Sequence, residues 1–291
     1  MARVTLQDAC DIHVHSNPSV FERIADDVEL ARVAREAGMK AIILKSHHES
    51  TVSRAYHTMK QVPGIQVFGG LVLNHHVGGI NPSAVEAALK LGAKQIWMPT
   101  YHSRAHADVY GGIGTYGYMD SKISINLAPI TVLDEKGELT DETIAVLQLV
   151  KEYNCMIGTA HLSAKDEIPK LIEIAGEIGC EKVILTHPFF KPPGVDINFI
   201  KRALDMGAYI ELCAGTLYPI PGYGRLEYYV EVIEKFGPNR IVISSDAGQP
   251  RKSLPPESIR VFAQCLHEKG ISIKDLRTMM VDNYNFLLDI S

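Results

Sequence analysis

The sequence Asp11-Ile12-His13-Val14-His15 lies just before the turn-forming residues Ser16-Asn17-Pro18. This pattern predicts a short strand that ends in a turn. Because side chains alternate along a strand, His13 and His15 are expected on the same face. The two imidazoles would stand roughly 6.6 Å apart along the strand and could lean toward one cation at its end. A His-x-His pair is also compatible with two structural histidines in a turn. Whether the pair binds metal depends on whether other strands also end in possible ligands.

The composition indicates a soluble globular protein with a large core. The chain has 291 residues, of which 46% are hydrophobic and 22% charged, and its formal net charge is −5. Since phosphate binding needs clustered Lys and Arg, the absence of a basic run argues against nucleic acid as a main partner. No segment approaches the about 18 apolar residues of a membrane span, so we expect no membrane association.

The cysteines indicate the cellular setting. Their number is odd and they are widely spaced, which predicts buried free thiols and a reducing, cytoplasmic location. The five positions are Cys10, Cys155, Cys180, Cys213 and Cys265.

A small molecule is the expected partner, and assembly into a homo-oligomer is left open.

Strands and helices alternate along the whole chain. After the first strand, further strands are predicted at 40–45, 65–74, 94–100, 156–160, 182–186, 208–212 and 240–244. Helices are predicted at 28–37, around His57, from Asn81 to Gly92, and at 141–153, 163–178, 196–206, 226–236, 258–268 and 273–288. Eight βα units favour a (β/α)8 TIM barrel forming a single domain, 1–291. A doubly wound sheet is less suitable, because no Gly-x-Gly-x-x-Gly follows the first strand.

The connection after the fourth strand is unusually long. Residues 103–124 are rich in Gly and Tyr without clear periodicity, which predicts a functional loop that covers the site and sets substrate choice. Residues 130–139, with Asp134-Glu135-Lys136-Gly137 at their centre, predict a small inserted hairpin.

Polar residues end most of the predicted strands. In a (β/α)8 barrel the active site lies at the C-terminal ends of the strands, where these side chains would meet. Imidazole and carboxylate groups are ligands that borderline divalent metals accept, so the pattern predicts a metal site. The residues concerned are His13, His15, Lys45, His47, His161, His187 and Asp246.

The ordered set of strand-end residues resembles the amidohydrolase superfamily of metal-dependent barrel hydrolases. The motifs are Asp11-Ile-His-Val-His15, Gly158-Thr-Ala-His161, Leu185-Thr-His187-Pro188, Ser244-Ser-Asp246 and the closing Val281-Asp-Asn-Tyr-Asn-Phe-Leu-Leu288. The resemblance implies one or two divalent ions, with zinc as the expected metal. It implies that His13 and His15 bind the more buried ion, that His161 and His187 bind a second, and that Asp246 binds metal and moves protons.

Two features depart from that resemblance. Two-metal members usually place a carbamylated Lys or a Glu at the end of strand 4, whereas Trp97-Met-Pro-Thr100 offers neither. Lys45 is the alternative bridge, or else a cation that balances substrate or Asp246. The second departure is a histidine-rich rim that consists of His47, His48, His75, His76 and His102. The histidine just after strand 2 resembles the polymerase-and-histidinol-phosphatase family, another barrel with His-x-His and several metals. That family usually ends in Asp-x-His, and this chain has Asp246-Ala247-Gly248.

The remaining polar residues at strand ends are candidates for substrate binding. They are His47, His48, Asn74, His75, Tyr101 and His102. His57 and His267 are expected to face solvent on helices, and His106 either contacts substrate or is exposed. Glu211 faces the barrel in this interpretation and would need a partner.

The function favoured by these observations is hydrolysis of an amide, ester or phosphoester bond in a small molecule. A metal ion would lower the pKa of its water to about 7, Asp246 would accept the proton, and Lys45 or His187 would stabilise negative charge. A metal-dependent decarboxylase, a phosphoesterase of the polymerase-and-histidinol-phosphatase type and a metal-holding protein without turnover remain alternatives. Released phosphate, amine or carbon dioxide would separate them.

Overall fold

The computed structural model describes residues 3–116, 127–217 and 225–290, which form two compact units. One unit comprises Met1–Lys45, Thr51–Gly69 and Ile210–Ser291, and the other comprises Ser46–Ser50 and Gly70–Tyr209. The strands are β1 Cys10–His15, β2 Ala41–Lys45, β3 Gln66–Phe68, β4 Gly70–Val72, β5 Gln95–Trp97, β6 Met156–Gly158, β7 Val183–Leu185, β8 Tyr209–Cys213 and β9 Ile241–Ser244. The helices are α1 Asp27–Glu36, α2 Val52–Gln61, α3 Pro82–Lys90, α4 Arg104–Tyr110, α5 Asp141–Glu152, α6 Glu167–Ile178, α7 Ile197–Asp205, α8 Leu226–Phe236, α9 Pro255–Glu268, α10 Ile273–Arg277 and α11 Asn283–Leu288.

The first unit is built on parallel pairing around β1. Strand β1 pairs with β2, β2 pairs with β3, and β8 pairs with β9, all parallel. Beyond its C-terminal end, β9 continues into a parallel bridge between Val14 and Ala247, where His15 N donates to Ala247 O at 2.9 Å. Every residue of β1 is buried, as expected for a parallel strand covered on both faces.

The second unit contains the parallel strands β4, β5, β6 and β7 in that order. All their residues are buried, and they include the largest buried side chain of the chain, Trp97. Helices α3, α4, α5, α6 and α7 belong to the same unit. The alternation of strand and helix is therefore confirmed in each unit.

Several helices begin where their capping residues predict. Asp26 caps α1 and forms a capping box with Glu29, and the chain leaves the helix at Gly38 with φ 83°. Asn81 caps α3, whose first residue is Pro82. The N-cap of α5 is Thr140, as its position before Asp141 predicts.

The predicted third strand, residues 65–74, is divided at Gly69 into β3 and β4. A Cβ on Gly69 would lie 2.5 Å from backbone atoms of Thr51 and Val52. The close approach of the α2 N-terminus requires glycine at this point and interrupts the strand. The prediction of one continuous strand was therefore wrong.

The prediction that residues 103–124 form an irregular loop was wrong in its first part. Ser103 caps α4 by accepting a hydrogen bond from His106 N, and α4 ends at Gly111 with φ 79°. The Gly and Tyr content obscured this short helix. Residues 117–124 lie outside the described residues. The predicted hairpin is confirmed as an antiparallel bridge between Leu133 and Leu139.

The closing segment of the chain is anchored to β9. Between α10 and α11, Thr278–Asp282 forms a π-helical turn, so the predicted helix 273–288 is interrupted. Asn283 Nδ2 donates to Ile241 O at 2.7 Å, and Tyr284 Oη donates to Ile243 O at 2.7 Å. The segment thereby fixes the strand that precedes Asp246.

Within the described residues, no helix has both the length and the apolar character needed to cross a membrane. The five cysteines are free thiols, and four of them are buried, as predicted. Burial raises the pKa of Cys10 and of Cys155 to about 12, so both thiols stay protonated at neutral pH.

Candidate metal centre

Two histidines of β1 and one carboxylate after β9 converge in the first unit. Asp246 Oδ1 lies 3.2 Å from His13 Nε2 and 3.2 Å from His15 Nε2. Asp246 has φ 46°, a conformation that costs a non-glycine residue about 1–3 kcal/mol and recurs at functional sites. The three residues, which were predicted from two separate motifs, thus form one buried group.

The spacing of these three side chains fits a divalent metal. Their candidate ligand atoms all lie within 4.8 Å of one another. A tetrahedral zinc ion with bonds of ~2.0–2.2 Å would hold its ligand atoms ~3.3–3.6 Å apart. The 3.2 Å separations from Asp246 Oδ1 are close to that range. Two imidazoles and a carboxylate are also a ligand set found in zinc enzymes.

The other ring nitrogen of His13 has a carboxylate partner. His13 Nδ1 lies 2.9 Å from Glu211 Oε1, and that oxygen also accepts a hydrogen bond from Ser244 Oγ at 2.6 Å. A carboxylate on Nδ1 fixes the ring orientation and directs the lone pair of Nε2 toward a metal. The sequence predicted that Glu211 needs a buried partner, but it did not identify His13 as that partner.

Asp11 supports the backbone beside the metal candidates. Its Oδ1 accepts hydrogen bonds at 3.0 Å from His13 N and from Ser245 N, while Oδ2 has no hydrogen-bond partner among the described residues. Burial raises the pKa of Asp11 to about 6. These contacts hold the backbone of His13 and Ser245 in position, and Asp11 is outside the candidate ligand group.

Lys45 is in contact with one member of this group, His13. Its Nζ is 2.9 Å from His13 Nε2, and its side chain is buried. Burial lowers the pKa of Lys45, which makes the uncharged amine more accessible. A metal on His13 Nε2 requires Nζ to withdraw or to lose its charge, so Lys45 is coupled to metal binding in either case.

Two further cations, which sequence reasoning missed, act on this group. Burial of His15 is the main cause of its low pKa, and the charge of Arg23, which is itself buried, lowers that pKa further. Lys252 is half-buried; burial lowers its pKa, and Asp246 acts in the opposite direction. Both residues lie in loops that follow strands. The sequence around them does not indicate that they act on His15 or Asp246.

In the second unit, His161 is held by another histidine. His161 Nδ1 lies 2.9 Å from His106 Nδ1, and the two rings are nearly parallel, with their centroids 5.0 Å apart and an interplanar angle of 13°. His187, with φ 31°, lies 5.0 Å from His161 between ring centroids. Of the two alternatives predicted for His106, substrate contact or exposure, the exposed one was wrong, because the side chain is fully buried. Its contact with His161 was missed.

A polar network follows β4 and β5 in this unit. Asn74 Nδ2 donates to His47 O at 2.9 Å and to Thr100 Oγ1 at 2.7 Å, and Thr100 N donates to Asn74 Oδ1 at 3.0 Å. His47 Nδ1 lies 2.9 Å from Thr100 Oγ1. Asn74 therefore links two strand ends, and its hydrogen bonds are made within the protein.

The remaining rim histidines form an aromatic cluster with Tyr101. His102 lies 4.4 Å from Tyr101, 5.1 Å from His75 and 4.9 Å from His76 between ring centroids. His102 Nδ1 accepts a hydrogen bond from His75 N at 3.1 Å, and burial lowers the pKa of His102 to about 3. His48 lies 6.1 Å from His76.

Among the described residues, the groups with metal-ligand spacing are His13-His15-Asp246 and His13-Glu211-Cys213. Burial raises the pKa of Cys213 well above its usual value in the metal-free protein, so a metal ion bound by the second group would have to displace the thiol proton. His161 and His187 are in neither group, and their assignment to a second ion stays a prediction. His57 is exposed, as predicted, and His267 is partly buried.

Comparison with known families identifies the chain. A family of unknown function, DUF6282, matches residues 8–211. The chain belongs to this family. The DUF6282 match includes His13, His15, Lys45, His161 and His187 and ends before Asp246. Comparison of the sequence with curated proteins gave no significant match.

Solved structures resemble this DUF6282 protein along nearly its whole length. An amidohydrolase from Pseudomonas aeruginosa is 13% identical, with a TM-score of 0.65 over 97% of this chain and 95% of its own. An organophosphorus hydrolase from Deinococcus radiodurans is 13% identical, with a TM-score of 0.61 over 99% and 97%. The probable dipeptidase PvdM from Pseudomonas aeruginosa is 12% identical, with a TM-score of 0.63 over 96% and 94%.

These similarities establish the fold of the DUF6282 protein. It is a (β/α)8 TIM barrel, and the predicted fold class is confirmed. In that fold the C-terminal ends of the strands carry the active site. His13 and His15 end β1 and Asp246 follows β9, which agrees with that rule.

Proposed function

We propose that this DUF6282 protein is a metal-dependent hydrolase that cleaves an amide, ester or phosphoester bond in a small molecule. The observation that carries the proposal is the convergence of His13 Nε2, His15 Nε2 and Asp246 Oδ1 at metal-ligand spacing. The structural neighbours named above as an organophosphorus hydrolase, an amidohydrolase and a probable dipeptidase support a hydrolytic reaction.

The ligand set fits a divalent ion, with zinc as the expected metal. When bound, such an ion lowers the pKa of a water molecule to about 7 and polarises a carbonyl or phosphoryl oxygen. His13 and His15 would hold it through Nε2. Glu211 keeps His13 in the required orientation by its contact with Nδ1.

Asp246 is the proposed proton carrier. Its carboxylate lies at the open end of the group with a side-chain exposure of 12%, whereas that of His13 is 1%. Burial raises the pKa of Asp246, but the contacts with His13 and His15 together lower it by more. The pKa of Asp246 therefore lies well below its usual value in the metal-free protein. Asp246 would accept the proton of the attacking water and return it to the leaving group.

Lys45 is proposed to stabilise negative charge that develops on the substrate oxygen. Its buried Nζ beside His13 Nε2 supports a position next to the reacting atoms. Carbamylation of Lys45, which requires the uncharged amine, remains the alternative. A similar role for His187 and substrate contacts by His47, His48, Asn74, His75, Tyr101 and His102 remain proposals drawn from the sequence.

The charges around the centre favour a substrate that carries an anionic group. Lys45, Arg23 and Lys252 all act electrostatically on this group of residues. With a divalent ion present, these cations outweigh Asp246 and Glu211. A carboxylate or phosphate on the substrate would restore the balance and be attracted into the site. The decarboxylase alternative uses the same charges, and released carbon dioxide would reveal it.

Metal analysis and turnover test the proposal together. We expect the purified protein to contain divalent metal and the His13→Ala and His15→Ala proteins to lose it. Asp246→Asn should retain some metal but lose about 10²–10⁴-fold in rate, the usual effect of removing a general base. His57→Ala, a change on the exposed face of α2, is the matched control. Unchanged metal content in both histidine variants would refute the centre.

A further inference from the structure

The loop of residues 16–26 follows the metal candidate His15 and carries Arg23. Ile24 N donates a hydrogen bond to Gly248 O at 2.8 Å, so the loop contacts the segment that follows β9. The side chain of Arg23 is buried, and its charge acts on His15. The path of this loop therefore determines where the guanidinium of Arg23 lies relative to the candidate metal centre.

Arg54, in helix α2, holds the first part of the loop through hydrogen bonds from its guanidinium group. Its Nη2 donates to Asn17 O at 2.9 Å, and its Nη1 donates to Pro18 O at 3.1 Å. Nη2 also donates to Ser16 Oγ at 3.0 Å. These contacts fix the loop directly after His15.

Asp27 balances the charge of Arg54 and orients its guanidinium. Arg54 Nε donates to Asp27 Oδ2 at 2.8 Å and Nη2 donates to Asp27 Oδ1 at 2.7 Å, with only 14% and 11% of the two side chains exposed. A bidentate contact of this kind fixes the plane of the guanidinium, and the ammonium group of a lysine cannot reproduce it. Ser16 Oγ donates to the same Asp27 Oδ1 at 2.5 Å and completes the network.

The helix that carries Arg54 is itself attached to the neighbouring strands. Thr51, the residue before α2, is fully buried, and its Oγ1 donates to Leu44 O of β2 at 2.7 Å. The start of α2 also lies close against Gly69, the residue after β3. Arg54 therefore links the loop after β1 to strands β2 and β3.

We infer that Arg54 is a positioning residue that, together with Asp27, fixes the loop of residues 16–26 and so directs Arg23 toward the candidate metal centre. The fixed loop follows from the contacts alone, whereas the step to binding of a substrate anion by Arg23 rests on the proposed function. In that step Arg54 acts through Arg23 and sets the preference of the site for anionic substrates.

Hydrogen exchange in the metal-free protein tests the positioning step. The probes are the amide of Ile24 and the amide of Asn17, which donates to Ala25 O at 2.9 Å. Arg54→Lys keeps the charge but loses the bidentate contact, so we expect both amides to exchange about 10–100-fold faster, the effect of losing one charge-assisted hydrogen bond. Arg32→Lys, at an exposed position of α1, is the matched control and should leave both rates unchanged. Equal exchange rates in the wild type and a folded Arg54→Lys protein would overturn the inference.

A second variant covers the case in which Arg54→Lys does not fold. Asp27→Asn retains the size of the side chain and one oxygen acceptor but removes the charge that orients Arg54. We expect the same two amides to exchange faster in this protein, and unchanged rates would again contradict the positioning role.

A double-mutant cycle on the zinc-loaded protein tests the step to anion binding. We expect Arg54→Lys to weaken the binding of phosphate or acetate, measured by calorimetry, by about 10–100-fold, the loss expected when Arg23 no longer reaches the anion. Zinc affinity should be unchanged. Because Arg54 acts through Arg23, Arg54→Lys should cause no further loss in an Arg23→Gln protein.

Additive losses in the double variant, or a lower zinc affinity of Arg54→Lys, would refute the action through Arg23. A wild type that binds zinc but neither anion would refute the step to anion binding alone. A wild type that binds neither zinc nor anion would refute the proposed function together with that step, and the exchange rates would still decide the positioning role.

Discussion

At the scale of single residues, the candidate centre depends on how His13 shares its protons. Burial and Lys45 lower the pKa of His13, but Asp246 and Glu211 raise it, with a net value of about 9 in the metal-free protein. The two carboxylates thus favour a second proton on the imidazole, which would compensate their charge, whereas burial and Lys45 oppose it. A divalent ion would replace this proton and serve the same electrostatic purpose.

Arg23 is the residue expected to bind the anionic group of a substrate. It is buried in the loop after β1, and its guanidinium lies 5.7 Å from the Phe21 ring. Charge-assisted hydrogen bonds contribute about 1.5–3 kcal/mol, which corresponds to about 10–100-fold in affinity. We expect Arg23→Gln to weaken phosphate or acetate binding to the zinc-loaded protein by that factor, as measured by calorimetry.

Arg32→Gln is the matched control, because it removes the same charge from an exposed position of α1. Tighter binding of phosphate than of acetate would indicate a phosphorylated substrate, and the reverse order a carboxylated one. Equal anion affinities in wild type and Arg23→Gln would contradict this role for Arg23.

The sequence predicted His13, His15 and Asp246 because each ends an apolar strand in a recognisable order. It could not assign Arg23, since the loop that carries it is fixed by distant contacts. Arg54 in α2 donates to the carbonyl oxygens of Asn17 and Pro18 at 2.9 and 3.1 Å, and Ile24 N donates to Gly248 O at 2.8 Å. Contacts this far apart in sequence leave no local pattern.

At the scale of elements, the end of β1 and the loop after β9 are in close contact. Gly248 has φ 125°, and a Cβ on it would lie 1.8 Å from His15 O. The absence of a side chain at Gly248 therefore lets the loop approach the backbone of His15.

Gly248→Ala is therefore expected to disturb the candidate centre. The backbone must shift to relieve the clash, which separates Asp246 from His15, and the unusual φ adds a cost above ~1 kcal/mol. We expect a lower free energy of unfolding by denaturant titration and at least tenfold weaker zinc binding. Gly92→Ala, with φ 100° and nothing within 4 Å of the added Cβ, is the control for φ alone. Equal effects of the two substitutions would contradict the clash.

Elements with local signals were predicted well from the sequence. Capping residues such as Asp26 and Thr140 placed helix starts correctly because their side chains bond to nearby backbone. The division at Gly69 was missed because it arises from contact with Thr51 and Val52. Helix α4 was missed because its burial, rather than a long apolar repeat, stabilises it.

At the scale of the whole molecule, buried neutral histidines are expected to make stability depend on pH. Burial lowers the pKa of His102 to about 3 and that of His106 to about 4. His75, His76 and Tyr101 surround His102, and the nearby histidines oppose its protonation further. In the unfolded chain these side chains have an ordinary pKa of about 6.5.

Between pH 6.5 and about 3, the unfolded chain thus binds more protons at His102 than the folded protein does. The contribution of the buried neutral ring is complete above pH ~6.5 and is lost as the pH falls toward the folded pKa. Each such histidine lowers the free energy of unfolding by at most ~1.4 kcal/mol per pH unit in this range. His102→Gln, which retains an acceptor for His75 N but cannot titrate, should reduce the slope. Urea titrations from pH 7 to 4.5 would measure it, with His57→Gln as the exposed control. A slope unaltered by His102→Gln would mean that other groups cause the acid sensitivity.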